Sequence, residues 1–424
     1  MKIKNLLIAM STLLVSEAFA QPQVNYDESA IAPYELPDLL TTKNGKSVGN
    51  MKEWEHQRRK EILALFETEM FGKVPHGKIG KPEVVLQEQK DNVLNGKASR
   101  QQFALKFNSN GHEITINILL YLPVDVENPP VFVGYNFYGN HTILDDPAII
   151  LTDAWIDNNK EFGITEHKAN DASRGVRHSR WPVSKIIEGG FGLATIYYGD
   201  VDPDRNNFSD GLHPLFYKNG QTKPAEDEWG AIAAWSWGAS RVLDQLKSLP
   251  RLSGSKFIMF GHSRLGKAAL WAGAMDQRFD AVISNDSGCG GAALSRRKFG
   301  ETVEIINTSF PHWFAGNFKK YNEKEEELPF DQHELIALIA PRPVYIASAA
   351  EDLWADPKGE YLSGYYATPV YELYGKTGLI KAEPPAIGEP MHGTGIGYHV
   401  RPGGHDVKEY DWEQYMVFLR NSLH

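Results

Sequence analysis

Ser263 sits where an apolar run gives way to an alanine-rich one, in Lys256-Phe-Ile-Met-Phe-Gly261-His262-Ser263-Arg264-Leu265-Gly266-Lys267. A strand that turns sharply into a helix tolerates little side-chain bulk, so glycines flank the turn. The serine between them aims its hydroxyl at the amino-terminal end of the helix, where free N–H groups can hold an oxyanion. That is the setting of an activated nucleophile. The spacing departs from the usual G-x-S-x-G, because Leu265 occupies the second glycine position and Gly266 follows it. As an isolated feature Ser263 reads equally well as a helix N-cap.

A nucleophilic serine needs a general base, and the base needs a carboxylate to orient it. In α/β-hydrolases the three occur along the chain in the order serine, acid, histidine. The sequence supplies that order. His405 lies in the glycine-rich stretch Arg401-Pro-Gly-Gly-His405-Asp406, just before the last helical segment. Two carboxylates precede it: Asp286 in Asn285-Asp286-Ser287-Gly288, and Asp352 in Ala350-Glu351-Asp352-Leu353-Trp354. Either could hold the imidazole, and each could instead cap backbone N–H groups of a loop.

The elements that must carry these residues follow from hydrophobic pattern. Val131–Phe137, Gly192–Tyr198, Lys256–Gly261, Ala281–Asn285 and Pro343–Ala349 are short apolar runs rich in β-branched or aromatic residues, which predicts buried parallel strands. Helical candidates lie between and after them: Glu228–Ser248, Arg264–Ala274, Asp331–Ile339, Lys358–Tyr366 and Tyr410–Leu423. Upstream, Arg100–Leu105 and Glu113–Leu122 alternate polar and apolar residues, as antiparallel strands with one wet face do. The fold expected is the α/β-hydrolase fold, a three-layer sandwich around a mostly parallel sheet, with its chemistry at the carboxyl ends of the strands. Ser263, Asp286 and Asp352 all fall at such ends. The glycines of Gly134–His141, after another predicted strand, would let backbone border the oxyanion hole.

With 42% hydrophobic and 23% charged residues, the chain is an ordinary globular composition with ample material for a core. A net charge of -10 without a basic run argues against nucleic acid or an anionic membrane surface as partner. Lys2 and Lys4, the apolar run Leu6–Val15 and Ala18-Phe19-Ala20 have the form of a secretory signal peptide over residues 1–20. That leaves a single catalytic domain over 21–424, secreted or periplasmic, with no membrane attachment after cleavage. Cys289, the lone cysteine, reads as a small buried side chain. Asp200, Asp202 and Asp204 suggest calcium, but their loop lacks the glycine and glutamate of a calcium loop, so a turn with Asx caps is expected.

The elbow Gly261-His-Ser263-Arg264-Leu-Gly266-Lys267 resembles that of the glucuronoyl esterases, carbohydrate esterase family 15, particularly the bacterial members. The similarity continues through Asn285-Asp286-Ser-Gly-Cys-Gly-Gly-Ala-Ala, Ser295-Arg296-Arg297, Phe299-Gly300-Glu301-Thr302, Asp352-Leu-Trp354-Ala-Asp-Pro and His405. The resemblance implies cleavage of esters between lignin alcohols and the (4-O-methyl-)glucuronate groups of glucuronoxylan, without metal or organic cofactor; a monomer is expected. It makes Ser263 the nucleophile, His405 the base and Arg264 a side-chain donor to the oxyanion. A guanidinium beside the nucleophile is always charged and offers several donors, whereas an idle arginine in a helix's first turn would oppose the helix dipole. Lys267 and Glu301 correspond to residues that contact sugar hydroxyls, and Trp354 to one lining the sugar site; Trp313 is a further aromatic candidate. The family's acid stands at either strand end, commonly as glutamate at the position of Asp286; aspartate is one methylene shorter, which favours Asp352. Two rivals remain open: a carbohydrate acetyl esterase using the same serine, acid and histidine, and a non-catalytic carbohydrate-binding protein on a hydrolase scaffold.

Overall fold

The computed structural model describes residues 24–75 and 79–423; the candidate signal peptide lies outside them. Ten strands form one sheet: β1 (Glu83–Val93), β2 (Ala98–Ser109), β3 (His112–Pro123), β4 (Val131–Asn136), β5 (Gly192–Tyr197), β6 (Phe257–His262), β7 (Ala281–Asn285), β8 (Val344–Ala349), β9 (Met391–His392) and β10 (Ile396–Arg401). Their spatial order is β1-β2-β3-β5-β4-β6-β7-β8-β10-β9. The six from β5 to β10 in that order pair in parallel, while β1, β2 and β3 at one edge and β9 at the other are antiparallel.

Alternation along each parallel strand feeds two separate apolar layers, as a period of two requires. Phe257 and Met259 of β6 face one core, with Trp235, Leu270 and Ile336, while Ile258 and Phe260 face the other, with Trp412 and Tyr415. Val344 and Ile346 of β8 divide from Tyr345 and Ala347 in the same way. Helices Ala231–Ser248, Arg264–Met275 and Pro357–Glu372 cover the first face and Glu409–Ser422 the second. This is the three-layer α/β-hydrolase sandwich.

Several local expectations need correction. The wet face predicted for the early strands is largely covered: Arg100 is 1% exposed, pairing with Glu88 and Asp146, and Gln102 exchanges hydrogen bonds with Ala148 and Ile150. A loop thus roofs polar residues that hydropathy alone assigns to water. β1 and β10 carry too many polar residues to read as strands, and Pro357–Glu372 continues past the predicted end at Tyr366 in spite of Pro369.

The turn between β6 and the helix Arg264–Met275 sets the position of everything that follows. Ser263 has φ 59° and ψ -131°, a left-handed conformation costly for a residue with a Cβ. A Cβ on Gly261 would lie 1.9 Å from the Leu265 carbonyl oxygen, and one on Gly266 would lie 2.9 Å from the Ser287 Cβ. Gly266 therefore serves the approach of the helix to the loop after β7, which explains a glycine one place later than in the usual motif. We expect Gly261→Ala to lose about 2–4 kcal/mol of unfolding free energy, since backbone rather than a flexible side chain must yield. Gly49, with open space around its Cβ position, supplies the control, at under about 0.5 kcal/mol for Gly49→Ala. Equal urea midpoints for the two variants would contradict the packing described.

Candidate active site

A cavity of about 350 Å³ opens at the carboxyl ends of the parallel strands, and all nine candidates for catalysis or sugar contact line it: Ser263, Arg264, Lys267, Asp286, Glu301, Trp313, Asp352, Trp354 and His405. Ser263 stands first before the helix, yet its hydroxyl makes no capping bond, so the helix-cap reading does not hold. Its own N–H donates to the Asn285 carbonyl (2.9 Å), fixing the turn against β7. Ser263 lines the cavity beside the first turn of that helix.

His405 Nδ1 lies 2.6 Å from Asp352 Oδ2, which leaves Nε2 as the nitrogen able to take a proton. Asp352 reaches it from the turn after β8, buried to 7% exposure, whereas the His405 side chain is 41% exposed. Asp286 is close, since one ligating atom from each of Asp286, Asp352 and His405 lies within 4.8 Å of the others. Asp286 is nevertheless turned elsewhere. Its Oδ2 faces Arg401 at 3.4 Å and its Oδ1 is buried without a partner. Burial, then the nearby Glu360 and Asp352 charges, push its carboxyl well above the usual range against the pull of Arg401. The two carboxylates are thus sorted by environment, one bonded to imidazole and one inclined to keep its proton.

Arg264 ion-pairs with Asp204, whose side chain is buried and also accepts from Trp313 Nε1 (2.7 Å), His312 Nε2 (2.8 Å) and Tyr198 OH (3.2 Å). Burial alone would raise the Asp204 carboxyl; the His312 hydrogen bond and the Arg264 charge outweigh it and hold it near about 2. The guanidinium lies over the rings of Trp313 (4.8 Å), Phe310 (5.5 Å) and Phe137 (5.8 Å), with Nε buried and unpaired. The sequence reading placed Asp204 in an Asx-capped turn, which is not formed, and missed its pairing with Arg264. Asp200 accepts from Asn117 and Thr152, Asp202 from His213 and Asp204 from the Arg264 group, so the three carboxylates serve three separate partners rather than one cation or their own loop. The signal available was chemical: a half-buried arginine requires a carboxylate nearby.

Lys267 is 4% exposed, donates to the Ser287 carbonyl (2.6 Å) and stands 3.8 Å from Glu301 Oε2. Burial raises the Glu301 carboxyl, and the Lys267 charge draws it back. Trp354 stands at the rim, 41% exposed, its carbonyl accepting from the Glu301 N–H (3.0 Å). Trp313 is buried, stacked on Phe310 at 3.7 Å, and forms a wall with little free face. Gly134–His141 does not line the cavity. A Cβ on Gly134 would meet the Phe260 ring at 2.9 Å and one on Gly139 the His141 ring at 2.8 Å, and the Phe137 ring lies under Arg264. His262 was also missed by the sequence reading. Its ring packs 4.5 Å from that of His405, and burial, with the nearby His405, pushes its imidazole well below its ordinary range.

A family model described as glucuronyl esterase, fungi, matches residues 191–375, which span the elbow, Asp286 and Asp352. A carbohydrate esterase of an unknown prokaryotic organism is 49% identical over 422 residues, covering 98% of this chain and 97% of that protein. Among solved structures, a promiscuous esterase of the same family from a marine bacterial metagenome superposes with a TM-score of 0.87 at 48% identity, covering 94% of this chain and all of the other. A glucuronoyl esterase from Solibacter usitatus gives 0.87 at 44% identity, over 93% of this chain and all of its own. Similarity over essentially the whole length, at this identity, means that the chain belongs to carbohydrate esterase family 15, the glucuronoyl esterases.

Proposed function

We propose that the chain is a serine esterase that hydrolyses esters of glucuronic or 4-O-methylglucuronic acid, of the kind that join lignin alcohols to glucuronoxylan. The observation carrying this reading is the placement of the Asp352–His405 pair and Ser263 in one cavity with the buried Lys267–Glu301 pair. Nucleophile and base without a polar recognition wall would suit any small ester. Lys267 and Glu301 add a donor and an acceptor, arranged to bond vicinal hydroxyls, and water is largely excluded there.

In the reaction His405 Nε2 takes the Ser263 proton as Oγ attacks the uronate carbonyl, and Asp352 holds the ring and stabilises the imidazolium. The oxyanion is met by the Arg264 guanidinium and the N–H groups of the elbow helix. Asp204 occupies one end of that guanidinium and so aims the remainder. Collapse expels the alcohol with the proton from His405, leaving an acyl-enzyme on Ser263. Water, deprotonated by the same imidazole, attacks the acyl group, and collapse breaks the bond to Ser263 Oγ, which takes the proton back from His405 as the uronic acid leaves.

The candidate signal peptide supports export, to the periplasm or beyond, and among the described residues no helix is long and apolar enough to cross a membrane. A carbohydrate acetyl esterase is the second reading, since it would use the same Ser263, His405 and Asp352 of the cavity. A larger groove of about 570 Å³ beside Asp200 contains neither Ser263 nor His405 and supports neither activity.

Hydrolysis of benzyl glucuronate and p-nitrophenyl acetate distinguishes the readings. We expect kcat/KM on the glucuronate ester to exceed that on the acetate by about 10²-fold or more, because buried polar groups left unpaired penalise a substrate without hydroxyls. Preference for acetate would establish the acetyl esterase, and saccharide binding with no ester turnover would establish the non-catalytic scaffold. For the acid, Asp352→Asn is expected to lower kcat by about 10³-fold or more through the wrong imidazole tautomer, and Asp286→Asn by about tenfold at most. Steady-state kinetics on variants with wild-type circular dichroism checks this, and a larger loss at Asp286 would move the acid to the end of β7.

A further inference from the structure

The general base sits on a segment with little intrinsic order. Gly403 and Gly404 precede His405, Gly403 has φ 92°, and the 402–406 stretch is half-buried or exposed. Apolar packing cannot fix such a loop, and glycines carry the largest backbone entropy. The hydrogen bond from His405 Nδ1 to Asp352 holds the ring, but it leaves the backbone beneath it to other contacts.

Arg401 ends β10 immediately before the loop and is 2% exposed. Its Nη1 donates to the Pro402 carbonyl (3.1 Å), and its Nη2 donates to the carbonyls of Gly404 (3.1 Å) and Asp406, one on each side of His405. The Gly403 carbonyl is taken by the Glu351 N–H (3.0 Å), from the segment that leads to Asp352. Nε bonds Asp411 Oδ2 (3.0 Å), and Nη2 faces Asp286 Oδ2 (3.4 Å). Asp411 also accepts from the Lys408 N–H (2.6 Å) and from His399 Nε2 (2.7 Å), so it is itself fixed in the final helix's first turn. A Cβ on Gly403 would stand 3.5 Å from Nη1, so the loop is wrapped closely around the guanidinium.

We propose that Arg401 is the positioning residue of the base: its planar guanidinium fixes the peptide groups on both sides of His405 to the end of β10, so that the imidazole meets Ser263 in a reactive geometry. Asp411 supplies the carboxylate that retains a buried cation at that place, and Asp286 adds an acceptor for Nη2. This inference rests on the roles of Ser263 and His405 given above. Only the fork of an arginine provides donors in the several directions required; a lysine ammonium at the same position restores charge without the span.

The test compares Arg401→Lys and Arg401→Gln with wild type on benzyl glucuronate, active sites being counted with a fluorophosphonate taken to completion and located by peptide mass spectrometry. Label on Ser263 in the wild type verifies the nucleophile independently of Arg401; its absence there would fail the underlying reading rather than the clamp. Given that label, we expect kcat per titrated site to fall by about 10²-fold in both variants, as a displacement near 1 Å does. KM should stay within about threefold. Wild-type kcat per titrated site, with only the titratable fraction reduced, would make Arg401 a residue of folding alone and overturn the proposal. Full recovery in Arg401→Lys would also overturn it, since charge alone would then suffice. Where Arg401→Gln fails to accumulate, the lysine variant decides by the same criteria.

Discussion

Ser263 is held in a backbone conformation that an L-residue adopts only when its surroundings force it, and the surroundings here are a strand, a helix and the loop beyond the neighbouring strand meeting within a few ångströms. Gly261 and Gly266 are the two positions where that meeting leaves no room for a Cβ. The strain is offset by packing of the large alanine-rich helix against the sheet, with Leu265, Ala268, Ala269 and Ala272 fully buried. Because the turn lies at the end of β6, the hydroxyl emerges beside the ends of β7 and β8, where Asp286 and Asp352 stand. The parallel order of the sheet thus converts distant sequence positions into one site.

Charge is the second organising constraint. The cavity gathers Arg264, Lys267, Glu301, Asp286 and Asp352 with little access to water, and each requires a partner or a proton. Arg264 is matched by Asp204, Lys267 by Glu301 and a carbonyl, and Asp286 by Arg401 together with a raised affinity for its proton. Glu360, buried beneath, accepts from the N–H groups of Ser287 (2.7 Å) and Gly288 (3.0 Å) and from Ser348 Oγ (2.6 Å); burial lifts its carboxyl to about 7. It ties the loop after β7 to β8, and that loop in turn presents the Ser287 carbonyl to Lys267. Among these acids, Asp352 is the one hydrogen-bonded to the His405 imidazole.

What could be read from the sequence follows the same division. The central strands and the elbow were legible because burial on both faces demands apolar runs, and a sharp turn demands glycine, both local properties of the chain. β10 was not, because Ile-Gly-Tyr-His-Val-Arg places His399 and Arg401 in the interior, where Asp411, a dozen or fewer residues later, accepts hydrogen bonds from both. Arg100 on β2 is the same case, buried by ion pairs with Glu88 and Asp146. The pairings of Asp204 with Arg264, sixty residues away, and of Arg401 with the distant Asp286 escaped because long-range pairing leaves no periodic trace. Even so, the nine candidates came together in one cavity, since their residue types were ones that chemistry rather than packing requires.

The central claim is that a single cavity both recognises a uronate and presents its ester to Ser263. A crystal structure of Ser263→Ala with methyl 4-O-methylglucuronate tests it most directly. The mechanism predicts the ester carbonyl oxygen within hydrogen-bond distance of the Arg264 guanidinium, its carbon facing residue 263, and ring hydroxyls on Lys267 and Glu301. A sugar seated in the groove beside Asp200, or in the cavity with its ester turned away from Arg264 and residue 263, would contradict it.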